Sequence, residues 1–133
     1  MTYDNIRLSA EVTVAGAVGL LAGLPPAVLT LLVLMALDFA TGLLAGYIAG
    51  ELDSGVSYKG LAKKALVLIA VAGSSYLEVS LGLPVTGIVS TAIAGFYSMH
   101  EALSVLENLV RADLPVPEFL KRALALAKEK HDA

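Results

Sequence analysis

Apolar and polar positions alternate along this chain in long blocks. All nine Lys and Arg residues fall in three places: Arg7 near the start, Lys59, Lys63 and Lys64 in the middle, and Arg111, Lys121, Arg122, Lys128 and Lys130 at the end. Two apolar stretches separate them, each about twice the length of a bilayer span. Each is broken once by a charge-free turn, Gly23-Leu24-Pro25-Pro26 in the first and Gly82-Leu83-Pro84 in the second. The pattern predicts two helical hairpins that enter a membrane and return to the same side. Because basic residues flanking spans stay in the cytoplasm, both termini and the central loop read as inside and the two proline turns as outside.

The expected fold is an all-α integral membrane protein, a four-helix transmembrane hairpin pair with an amphipathic C-terminal helix. The spans are expected near 8–24, 26–50, 61–83 and 85–100, the last running on to about 110. Residues 1–110 then form the membrane domain and 111–133 a basic cytoplasmic tail. Residues 8–24 hold Glu11 and are near the lower length limit for crossing, so they either span or lie in the interface. Pro25 and Pro26 suit a turn leading into the first turn of a helix. The polar loop 51–64 ends with Ser57 placed to cap a helix beginning near Lys59, and the apolar run of the third span starts at Ala65. Glu101, Ser104, Glu107 and Asn108 recur on one helical face beyond the fourth span. Leu114-Pro115-Val116-Pro117 breaks that helix, and residues 118–131 read as a last amphipathic helix attracted to an anionic leaflet.

Composition agrees: with 57% hydrophobic and 16% charged residues, 133 residues have too little polar surface for a soluble domain. The chain has no cysteine, hence no disulfide framework or thiolate site. With a single Arg7 ahead of the first apolar run, a cleaved signal peptide is not expected. His100 and His131 have no partner at metal-ligand spacing, and no nucleophile or phosphate-loop motif occurs. Neither a metal, a cofactor nor an enzymatic activity is expected. The basic residues lack interleaved aromatics, so nucleic acid is not an expected partner.

Small residues recur every four positions, a spacing that brings helix backbones close in lipid. Gly42, Gly46 and Gly50 follow Asp38; Ala15, Gly19 and Gly23 follow Glu11; Gly87, Thr91 and Gly95 line the fourth span; Ala70 and Ser74 lead to Glu78. Gly42, Gly46, Gly50, Gly87 and Gly95 are candidate packing or oligomerisation positions, within one bundle or between copies. Glu11, Asp38, Glu78 and Glu101 are candidate functional acids within the membrane. Asp38 lies near the midplane, and with Lys and Arg expected outside the spans it should be protonated, bonded to Thr41, Ser74 or Thr91, or in contact with water.

Four strings resemble the toxin-secretion and phage-lysis holin family: Leu37-Asp38-Phe39-Ala40-Thr41-Gly42-Leu43, Lys59-Gly60-Leu61-Ala62-Lys63-Lys64, the run from Tyr97 through Glu101, Ser104, Glu107 and Asn108 to Leu109, and Leu114-Pro115-Val116-Pro117. The resemblance covers roughly residues 30–130. The family usually has Asn at the place of His100, a Gly-Val pair at Asp113-Leu114, and Asp at Glu78. The resemblance implies a non-enzymatic, self-associating protein of the bacterial cytoplasmic membrane that assembles into lesions and lets a phage endolysin or a toxin cross. The residues alone also fit a small proton-coupled channel or transporter, or an anchor subunit of a larger complex. Prolines outside the spans and the short tail weigh against these.

Overall fold

A computed structural model of the chain describes residues 2–51, 54–83 and 87–132. The described residues form five α-helices: α1 Tyr3–Ala22, α2 Pro26–Ala49, α3 Ser54–Ser80, α4 Ile88–Arg111 and α5 Glu118–Asp132. α2 starts as its prolines dictate, with Pro25 at the N-cap and Pro26 in the first turn, where a missing N–H costs nothing. It ends on Gly50, whose φ of 69° lets its N–H return to the carbonyls of Gly46 and Tyr47. Gly50 is therefore the helix stop, exposed at the end of the Gly42, Gly46 row. Ser57 lies inside α3, which begins at Ser54 and not near Lys59. α4 starts at Ile88, and Pro84 to Thr86 lie outside the described residues.

Helices α2, α3 and α4 pack together, α2 against α4 most extensively. α3 shows why one face is chosen. Its half-buried or buried positions are Gly60, Lys64, Val67, Leu68, Val71, Ser74, Ser75 and Glu78, a stripe at intervals of three and four. Leu61, Leu66, Ile69 and Leu77 stay exposed on the other faces. The apolar core lies toward the α3–α4 turn and consists of Leu31, Met35, Val71 and Ala94, flanked by Val28, Leu68, Ile93 and Tyr97. An apolar exterior around a small, partly polar interior suits a bundle whose solvent is lipid. Pro26–Ala49 and Tyr58–Ser80 are each long and apolar enough to cross a membrane. α1 forms no comparable packing face with the other helices, and the seam Ala15, Gly19, Gly23 is exposed.

α4 ends at Arg111, and Asp113 then takes a φ of 57°. Only glycine adopts that conformation without steric cost, although Asp tolerates it better than most residues. The glycine usual at this place in the resembling family has its physical reason here. Pro115 and Pro117 lie in the connection to α5, with Val116 between them buried.

Candidate functional site

Asp38 on α2, Lys64 on α3 and Glu101 on α4 meet at one level of the bundle. Counting about 1.5 Å per residue, Asp38 is roughly 16 Å from the end of α2, Lys64 roughly 15 Å from the start of α3 and Glu101 roughly 15 Å from the end of α4. The antiparallel arrangement thus sets all three at the same height. Lys64 Nζ lies 2.8 Å from Asp38 Oδ2 and also bonds Glu101 Oε2. The side chains of Lys64, Asp38 and Glu101 are only 14%, 15% and 8% exposed. The expectation that Asp38 lacks a cationic partner is therefore wrong. The helix carrying Lys64 begins ten residues earlier, at Ser54, so Lys64 lies on its inward stripe and not in a loop.

Asn108 completes the network from one end of α4. Its Nδ2 donates to Asp38 Oδ1 at 2.9 Å, to the Asp38 carbonyl at 3.2 Å and to Thr41 Oγ1 at 3.0 Å. Thr41 Oγ1 in turn donates to the Asp38 carbonyl. Of the neighbours expected for Asp38, only Thr41 is found; Ser74 bonds the Val71 carbonyl of its own helix, and Thr91 is exposed. Gly42 faces the amide: a Cβ there would stand 3.5 Å from Asn108 Nδ2, an ordinary van der Waals contact. Gly42 is thus used within the chain, and Gly46 one turn on is also buried. On the polar face 101–108, Glu101 is buried and Ser104, Glu107 and Asn108 are half-buried.

Glu78, at the other end of α3, is 2% exposed and closes the start of α4. Its carboxylate accepts hydrogen bonds from the Gly87 N–H at 3.1 Å, the Val89 N–H, and Ser90 Oγ at 2.9 Å. A carboxylate at orphan N–H groups is favoured by both hydrogen bonding and the helix dipole. Gly87, with φ of 92°, supplies the turn that aims those N–H groups. Glu11, by contrast, is exposed on α1 and pairs with Arg7. Gly95 is exposed, and a Cβ there would meet nothing within 4 Å.

Beside the ionic network a groove of about 450 Å³ opens between α3 and α4. Asp38, Lys64 and Glu101 line it together with Gly60, Lys63, His100 and Ser104, and with Leu66, Val67, Ala70 and Tyr97. Among the described residues no cluster of side chains could hold a metal ion. Lys64 was the residue hardest to place from sequence. A signal was nevertheless present, since Lys64, Val67, Val71, Ser74 and Glu78 fall on one helical stripe.

The features so far define a small helical membrane protein with an interhelical ion network in its interior. The family model for the bacteriophage holin family matches residues 16–129, and the chain belongs to that family. Among its relatives, an uncharacterised protein of Clostridium perfringens is 36% identical over 105 residues, covering 79% of this chain and 77% of its own length. An uncharacterised protein of Listeria innocua is 39% identical over 102 residues, 71% of each chain. A protein of Bacillus phage phi105 named probable holin is 26% identical over 102 residues, 77% of this chain and 74% of its own length. No solved structure matches.

Proposed function

We propose that this chain is a non-enzymatic pore former that self-associates in the bacterial cytoplasmic membrane and opens lesions through which an endolysin or a toxin passes. The observation that carries the reading is the ionic network inside a bundle with an apolar exterior. Asp38, Lys64 and Glu101 join with Asn108 and Thr41 in a polar seam across α2, α3 and α4, paired within one chain. Burying charge in lipid is expensive, and such groups tend to mark aqueous pathways. A bundle of this size cannot enclose a protein-sized channel, so the lumen must be built from several copies. In the closed chain the seam is paired internally; in the assembly the same groups face water.

The basic residues support a topology with both termini and the central loop cytoplasmic. Lys59 and Lys63 stand near the start of α3 and Arg111 at the end of α4, where Arg111 pairs with Glu51 at the end of α2. In this reading α1 is the first of four spans, and Gly95, open to the exterior, is a contact for a neighbouring copy. Expression of the chain alone in bacteria tests the function. A soluble cytoplasmic enzyme should escape together with a small dye. Escape of the dye with full retention of the enzyme would instead indicate a small channel.

A further inference from the structure

We infer that the groove between α3 and α4 binds the phosphate and glycerol region of an anionic phospholipid from the leaflet nearest the central loop. This rests on the membrane placement proposed above. The groove is polar at one end and apolar at the other. Lys63 and His100 line its polar end, Leu66, Val67 and Ala70 its apolar end, and Gly60 leaves the mouth open. Lys59 lies one turn before Lys63, and positions 59, 63, 66 and 70 form one helical stripe. Measured from Tyr58, where the apolar span begins, Lys63 is roughly 7 Å deep and Ala70 roughly 18 Å. A lysine at the shallower depth extends its ammonium to the headgroup level, while the Ala70 end lies among acyl chains.

Charge selects the occupant. Asp38 and Glu101 at the floor are engaged by Lys64, whereas Lys59 and Lys63 enter no ion pair among the described residues. The floor carboxylates repel a phosphate and the rim lysines attract it, so the phosphate sits at the rim with its acyl chain directed toward Ala70. Basic pockets between membrane helices recognise anionic headgroups in this way. A lipid so placed covers the ionic network on its open side, and another copy packing against α3 and α4 must displace it.

The test uses the full chain reconstituted in vesicles of phosphatidylglycerol and phosphatidylcholine in equal parts, then extracted in mild detergent and weighed by native mass spectrometry. The parent should retain phosphatidylglycerol, and excess inorganic phosphate should not displace it. The double substitution Lys59→Gln with Lys63→Gln should lower retention roughly 10- to 30-fold. Ala70→Phe, which fills the apolar end and leaves both lysines, should abolish retention, while Ile69→Phe on the exposed face should not. Equal retention of both lipids, displacement by free phosphate, or full retention by Ala70→Phe overturns the lipid site. A chain that does not float with the vesicles overturns the membrane placement as well.

Discussion

Lys64→Met removes the single cation that stands between Asp38 and Glu101 and keeps the length of the side chain. Two carboxylates are then left facing each other in a site where each is at most 15% exposed. Truncating one partner of a buried ion pair costs about 3–5 kcal/mol because the other charge is left uncompensated. Protonation of one carboxylate limits the loss, so the expected destabilisation is about 2–4 kcal/mol, a large part of the roughly 5–15 kcal/mol typical of a folded domain. Thermal unfolding of the detergent-solubilised protein reads it out. The decisive comparison is the triple substitution Lys64→Met, Asp38→Asn, Glu101→Gln, which removes all three charges and keeps the shapes. If charge pairing holds the helices together, the triple variant should recover much of the stability lost by Lys64→Met, a strongly non-additive result. Additive losses, or a Lys64→Met protein that melts like the parent, would refute the reasoning.

Two further outcomes follow from the helix ends. Asp113→Gly relieves the left-handed conformation at the end of α4 and should raise stability by about 0.5–1 kcal/mol, visible as a higher melting temperature with unchanged helix content. Glu78→Ala leaves the Gly87 and Val89 N–H groups and Ser90 Oγ without their acceptor and should cost about 2–3 kcal/mol, with Glu78→Gln intermediate, measured by thermal unfolding.

The long elements were legible in the sequence because their cause is local: apolar runs bounded by Pro25-Pro26, by Gly50 and by the Pro115-Pro117 break determine where α2, α4 and α5 begin or end. The start of α3 was not, since the glycines, serines and lysines scattered from Ser54 to Lys64 read as a loop until it is seen that Lys64 lies on the helix's inward stripe. That misplacement hid the partner of Asp38. The pairing of Asp38 with Asn108, seventy residues away, depends on how α2 and α4 pack and has no local signature. Glu78 was singled out as a candidate acid within the membrane, and its task of closing the next helix became visible only with the turn at Gly87. The row of small residues at Gly42 and Gly46 was visible in the sequence, but that Gly42 faces Asn108 of the same chain depends on how α2 and α4 pack.

The central claim is that a polar seam paired inside the closed chain faces water in the assembly. Ser98 on α4 reports on it, because it lies one turn from Glu101 and its Oγ is buried in the closed chain. The chain has no cysteine, so Ser98→Cys can be followed alone, with the exposed, lipid-facing Phe96→Cys as the control. A membrane-impermeant thiol reagent is added to expressing cells before and after a cytoplasmic enzyme begins to escape. The account predicts that Ser98→Cys is unlabelled before release and labelled after it, while Phe96→Cys stays unlabelled throughout. Ser98→Cys that remains unlabelled in cells that have released the enzyme would contradict it.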